Sequence, residues 1–88
     1  MIIWKYPVCQ SSEFSRMMPQ GAKFLSVQLQ HEDVQMWFLV DPHEFMEPKA
    51  FRVISAGEHF GERAEGDLTY LGTFQQGNFV YHLFEKNT

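Results

Sequence analysis

Residues 34–41 constrain the fold more than any other segment of this chain, because large apolar side chains occupy both odd and even positions. In a β-strand, successive side chains point to opposite faces of the sheet. Met36 and Phe38 would therefore share one face. Trp37 and Leu39 would share the other. Such a strand needs cover on both faces, so we predict that it lies at the centre of a β core or turns one face toward a partner subunit. We therefore expect a homodimer or a higher homo-oligomer.

Length and charge limit the classes of protein to which the chain can belong. Its 88 residues support a single domain, spanning residues 1–88. A net charge of −4 disfavours binding to nucleic-acid phosphates. The single cysteine, Cys9, cannot form an internal disulfide, which favours a reducing compartment such as the cytoplasm. No apolar run approaches the roughly 18–20 residues of a membrane span, so we expect no membrane partner.

Apolar and polar residues alternate along several other segments, as is typical of strands with one buried and one exposed face. These segments are residues 2–8, 23–30, 50–56, 69–75 and 79–85. In residues 23–30 the alternation predicts a buried face made of Leu25, Val27 and Leu29. We predict a short edge strand or a turn of helix for residues 9–18. Residues 41–49 contain two prolines and are predicted to form a loop.

Short polar links join neighbouring strands. Residues 31–33 lead into the apolar segment at 34–41, and residues 76–78 join the last two strands. Links of this length are typical of β-hairpins, whose strands are antiparallel. We therefore predict an all-β or β-rich fold, in which a small antiparallel sheet of about six strands curls into a barrel or sandwich.

The chain lacks the sequence motifs of known catalytic sites. It has no P-loop, no dinucleotide-binding glycine fingerprint and no Gly-x-Ser-x-Gly. Its four histidines show no recognisable metal-ligand spacing. We therefore predict that it is not an enzyme and that it carries no cofactor or metal. For His82, in the last strand, the simplest interpretation is a core or interface histidine with a satisfied hydrogen bond.

Residues 57–67 form the longest segment without a strand or helix pattern, and long loops in small domains are often functional. Glu58 and His59 are adjacent in this segment, and Arg63 follows shortly after. These side chains could hold a polar ligand or contact a protein partner, although a solvated loop is the simpler explanation.

Most acidic side chains fall in two segments. The first contains Asp41, Glu44 and Glu47; the second contains Glu58, Glu62, Glu65 and Asp67. Charged surfaces usually serve solubility. If both segments lie at one end of the sheet, they would form a negative patch that could engage a basic surface on a partner protein through electrostatic steering.

Several short motifs resemble those of a family of small uncharacterised bacteriophage proteins. They are Ile3-Trp4-Lys5-Tyr6, Met18-Pro19-x-Gly21-Ala22, Leu25-Ser26-Val27-Gln28-x-Gln30, Trp37-x-Leu39-Val40-Asp41, Tyr70-Leu71-Gly72-Thr73 and Val80-Tyr81-His82-Leu83-Phe84-Glu85. The resemblance covers nearly the whole chain. It implies expression in the cytoplasm of an infected bacterium, where small proteins of this kind commonly bind and disable a host component.

Three functions are compatible with this resemblance. In the first, the protein sterically inhibits a host defence protein by docking an apolar or acidic face onto it. In the second, a homo-oligomer sequesters a nucleotide immune signal in pockets between subunits, with the base on an aromatic ring and the phosphates facing arginines. The residues of that pocket would be Trp37, Arg52, His59 and Arg63. In the third, the protein is a minor structural component of the phage, which requires only self-association.

Overall fold

The computed structural model describes residues 1–10, 13–57 and 67–87, which form seven strands. These are β1 (Ile2–Pro7), β2 (Glu13–Pro19), β3 (Lys23–Gln30), β4 (Asp33–Val40), β5 (Met46–Ser55), β6 (Leu68–Gln76) and β7 (Phe79–Lys86). One antiparallel sheet has the strand order β1-β4-β3, and the other has the order β2-β5-β7-β6. The predicted antiparallel all-β fold is confirmed, and it takes the form of a two-sheet sandwich.

β4 is the central strand of the three-stranded sheet, as its sequence pattern predicts. Met36, Phe38 and Val40 are fully buried between the two sheets. Trp37 and Leu39 alternate with them and are only half-buried. The strand is therefore covered completely on one face and incompletely on the other.

The Phe38 ring is the centre of the core. Its centroid lies 5.8 Å from that of Tyr6 and 5.5 Å from that of Phe24, both in the same sheet. It also lies 6.0 Å from the centroid of Phe51 in the opposite sheet, in an edge-to-face arrangement. Edge-to-face pairs at such distances are favourable beyond the area that they bury. The ring therefore connects all three strands of its own sheet to the facing sheet.

The two sheets are also joined at their edges. On one side, Arg16 Nε of β2 donates a hydrogen bond to the Pro7 carbonyl oxygen at the end of β1, at 3.0 Å. On the other side, β3 and β6 approach so closely that a Cβ added to Gly72 would stand 2.7 Å from Val27 Cγ1. Glycine at position 72 therefore permits a contact between sheets that any larger residue would obstruct.

A β-bulge in β3 changes which side chains are buried. Phe24 pairs with Phe38 and Ser26 pairs with Trp37, so the extra residue, Leu25, has no partner of its own in β4. Because the bulge shifts the alternation by one residue, Phe24 and Val27 both pack toward the core while Leu25 is 43% exposed. Of the predicted buried face of Leu25, Val27 and Leu29, only Val27 is buried, because Leu25 lies at the bulge and Leu29, near the end of β3, is 44% exposed.

Two other expectations about the chain are resolved. Residues 9–18 contribute an edge strand, β2, which matches one of the two predicted alternatives. The predicted loop at residues 41–49 is too long, because β5 already begins at Met46 and includes Pro48. β7 pairs with β5 only from Phe51 onward, so one edge of β5 is unpaired at Pro48, a position that tolerates proline.

Both predicted hairpins are present, linking β3 to β4 and β6 to β7. The β3–β4 turn consists of His31 (φ 49°) and Glu32 (φ 75°), which both adopt the left-handed conformation. Two-residue turns of this kind favour Asn and Gly, because side chains at positive φ are strained. No helix among the described residues is long and apolar enough to cross a membrane.

The close approach at Gly72 yields a test of the sandwich. We expect Gly72→Ala to destabilise the protein by about 1–3 kcal/mol, as overpacking usually does, because the new methyl group meets Val27. Adding Val27→Ala should remove that clash, so the two losses in unfolding free energy, measured by urea denaturation, should be less than additive. Strict additivity would show that the two residues are not in contact.

The β3–β4 turn yields a second prediction. Combining His31→Asn with Glu32→Gly should raise the free energy of unfolding by roughly 0.5–1 kcal/mol, because both new residues accept positive φ more readily. Thermal and urea denaturation would measure the gain. A loss of stability would mean that the two native side chains make contacts that outweigh their backbone strain.

Tyr6 yields a third prediction. Its hydroxyl oxygen is buried without a hydrogen-bond partner among residues 1–10, 13–57 and 67–87, and burial raises the pKa of this phenol above its ordinary value of 10.0. Ionisation is then easier in the unfolded chain, so above about pH 10 the unfolded state gains an advantage that grows with pH. We expect Tyr6→Phe to be at least as stable as the wild type at pH 7 and progressively more stable relative to it as the pH rises above 10. Denaturation across this pH range tests the expectation, and a less stable Phe variant at all pH values would contradict it.

Candidate partner-binding face

Four apolar side chains cluster on the outer surface of the three-stranded sheet. We call this surface the outer apolar face and define it by Ile3, Leu25, Trp37 and Leu39. Ile3 is directly opposite Leu39 across the β1–β4 pair, and the β3 bulge places Leu25 next to Ser26, the residue that pairs with Trp37. Ile3 is 57% exposed, and Leu25 is 43% exposed. Contiguous exposed apolar surface of this kind marks interaction sites more often than isolated apolar residues do.

The charged side chains on this surface are mostly cationic. Lys5 pairs with Trp37 from β1, and Lys23 pairs with Leu39 from β3, so a lysine adjoins each of the two central apolar residues. Lys5 Nζ donates a hydrogen bond to Gln30 Oε1 at 2.9 Å. Among the outward positions of β1, β3 and β4, the one carboxylate is Asp33, at the start of β4. The outer apolar face therefore has a positive border in a protein of net charge −4.

The residues predicted to line a nucleotide pocket lie on different surfaces. Trp37 belongs to the outer apolar face. Arg52 alternates with the buried Phe51 and Val53, so it lies on the outer surface of the four-stranded sheet, on the other side of the sandwich. Within one chain these two side chains do not line a common pocket. Glu58, His59 and Arg63 lie outside the described residues.

Part of the predicted acidic patch can be placed. Asp41, Glu44 and Glu47 lie in or next to the β4–β5 connection. β5 and β6 both run antiparallel to β7, so β6 begins near the same end of the sandwich, and Asp67 with it. The two acidic segments thus share one end, as far as the described residues show, whereas Glu62 and Glu65 fall outside them. Asp41 also stabilises its own turn, because its Oδ1 accepts a hydrogen bond from the His43 amide at 3.0 Å.

A hydrogen-bonded cluster on the four-stranded sheet was missed by sequence analysis. Thr73 Oγ1 and His82 Nδ1 are 2.9 Å apart, and the Tyr70 hydroxyl is hydrogen-bonded to the same Thr73 oxygen. The predicted hydrogen bond of His82 is therefore confirmed. A bulge between Tyr70 and Gly72 brings Tyr70 into this cluster, and no sequence signal marks that bulge. The hydrogen bonds orient the imidazole, and no acid–base partner adjoins it in these contacts.

Metal ligands do not converge in the part of the chain that the structure describes. There, no group of three or more His, Cys, Asp or Glu side chains is placed to hold an ion. The surface that stands out chemically is thus the outer apolar face, which can bind another surface but has no reactive group.

Comparison with known proteins gives one match. The full length of the chain, residues 1–88, matches the family model described as Domain of unknown function (DUF7352). No curated protein and no solved structure matches the chain. Since the family model covers every residue, the protein belongs to the DUF7352 family.

Proposed function

We propose that this protein is a non-catalytic binding protein that docks its outer apolar face onto a partner protein. The observation that carries the proposal is the incomplete cover of Trp37 and Leu39 in the central strand, next to the exposed Ile3 and Leu25. An aromatic residue surrounded by aliphatic ones is typical of the energetic centre of an interface. A partner bound to the outer apolar face would cover the second side of β4, as the sequence pattern of this strand requires.

Charge favours a different protein as the partner over a second copy of this chain. If two copies met face to face about a twofold axis, each would bring Lys5 and Lys23 to the same interface. Four lysines would then lie together with only Asp33 of each copy to offset them. A partner with an apolar patch and acidic residues around it would instead complement the positive border.

The resemblance to small phage proteins supports a bacterial host protein as the partner. We propose that binding blocks a protein of the host's defence in the cytoplasm of the infected cell. The acidic end that contains Asp41, Glu44, Glu47 and Asp67 would lie at the edge of such a complex. A nucleotide sponge would need an oligomer in which Trp37 of one subunit meets Arg52 of another, since one chain holds them on opposite surfaces.

The test is to compare partner binding between matched surface variants. Ile3→Ser combined with Leu39→Ser disrupts the outer apolar face at two paired positions. Phe45→Ser combined with Met46→Ser removes apolar side chains that are 85% and 50% exposed at the start of β5 and are not part of the face. A host protein captured by the wild type would be purified, and its dissociation constant would be measured by calorimetry for each variant.

We expect the Ile3/Leu39 variant to bind the partner at least about tenfold more weakly and the Phe45/Met46 variant to bind within about twofold of the wild type. Thermal denaturation must show that both variants remain folded. Equal binding by the Ile3/Leu39 variant would exclude this face as the docking surface. Sedimentation showing a dimer that the Ile3/Leu39 substitutions dissociate would instead assign the face to self-association, and a nucleotide released on denaturation would favour the sponge.

A further inference from the structure

A groove of about 460 Å³ lies at the end of the sandwich where β4 begins. Its polar lining consists of Gln10, Asp33, Gln35 and Gln76, and Val8 and Val34 contribute apolar walls. The groove thus draws residues from both sheets, with β4 on one side and the end of β6 on the other. Its single charged group is the Asp33 carboxylate.

The Gln76 side chain presents an unused acceptor in this region. Its Nε2 donates a hydrogen bond to the Glu32 carbonyl oxygen at 2.9 Å, which fixes the orientation of the amide. Its Oε1 is buried, and no described residue donates a hydrogen bond to it. Buried polar atoms are nearly always paired, because leaving one unpaired loses the hydrogen bonds it made to water. The Gln76 oxygen therefore lacks a donor from the described part of the chain.

The groove combines the features that a cationic donor needs. Asp33 provides negative charge, Gln76 provides a buried acceptor, and Gln10 and Gln35 provide further amide oxygens. A guanidinium group matches this set better than an ammonium group. It carries five N–H donors in one plane, and its weakly hydrated faces pack against apolar walls such as Val8 and Val34.

We propose that this groove binds the guanidinium group of an arginine side chain from a partner protein. The Asp33 carboxylate accepts one edge of the guanidinium, and Gln76 Oε1, once a small shift of its side chain opens it to the groove, accepts another of its N–H groups. Arg16 of the same chain does not supply this group in the structure. Its Nε donates to the Pro7 carbonyl oxygen, its Nη1 donates to the Ser15 carbonyl oxygen, and its guanidinium lies 4.9 Å from the Phe14 ring centroid.

The groove adjoins the outer apolar face but contains none of its four defining residues, and the inference does not depend on the function proposed above. Both surfaces include residues of β4, since Asp33 and Gln35 precede Trp37 and Leu39. If one partner protein contacted both the groove and the outer apolar face, its arginine would lie next to the apolar residues with which it covers Trp37 and Leu39. The substitutions that test the groove leave Ile3 and Leu39 unchanged, so the two proposals fail independently.

The experiment is a titration followed by two-dimensional NMR of the backbone and side-chain amides. The probe is Nα-acetyl-arginine methylamide. The matched control is Nα-acetyl-citrulline methylamide, which has nearly the same shape and no charge, and the lysine analogue distinguishes ammonium from guanidinium. We expect saturable shifts of the Gln76 and Gln35 side-chain amides with the arginine probe and much smaller ones with the other two.

Two substitutions in the groove and one control complete the test. Asp33→Asn and Gln76→Met should each weaken binding of the arginine probe by about tenfold, through loss of the charge or of the acceptor. Asp41→Asn, at the opposite end of the sandwich, should leave it unchanged. Shifts as large with the citrulline probe, or no shift at Gln76, would overturn the proposal. Equal binding of the lysine probe would overturn the choice of guanidinium.

Discussion

The contact between Phe38 and Phe51 is the interaction on which the rest of the sandwich depends. Phe38 is fully buried and touches aromatic rings in β1 and β3, while Phe51 is fully buried at the same level of the facing sheet. In a chain of 88 residues the buried area is limited, so one well-packed layer between two sheets must provide most of the stability. The remaining buried residues of this layer come from β2 to β7 and from Val8, just after β1.

The apolar layer between the sheets leaves two outer surfaces, and these differ in chemistry. Ile54 is buried on the outer side of the four-stranded sheet, where it pairs with His82. The four-stranded sheet carries a hydrogen-bonded cluster around Thr73 and His82 on its outer side. The three-stranded sheet instead exposes aliphatic residues beside Trp37, bordered by lysines. Incomplete cover of the central strand costs solvation free energy in the free protein, and a partner that covers it would recover that cost. This asymmetry is the physical basis for proposing that the protein acts by binding.

Much of the fold follows from local patterns. The two hairpins have short polar links, and the two-sided apolar pattern of β4 places it at the centre of its sheet. Local sequence patterns predicted the outer apolar face less well. Leu25 was predicted to be buried, yet the β3 bulge makes it part of the outer apolar face. A bulge is selected by the packing of Phe24 and Val27 together, and alternation read along one strand does not contain that information.

The sequence by itself determined that the chain forms antiparallel strands, since hydrophobic alternation and hairpin links depend only on neighbouring residues. It also determined that β4 needs cover on both faces. Only the tertiary structure decided which face is covered, where the sheets approach at Gly72, and that Trp37 and Arg52 lie on opposite sides. The orphaned oxygen of Gln76 likewise arises from tertiary structure. Burial and pairing depend on contacts between residues distant in sequence, and these exist only when the two sheets have packed together.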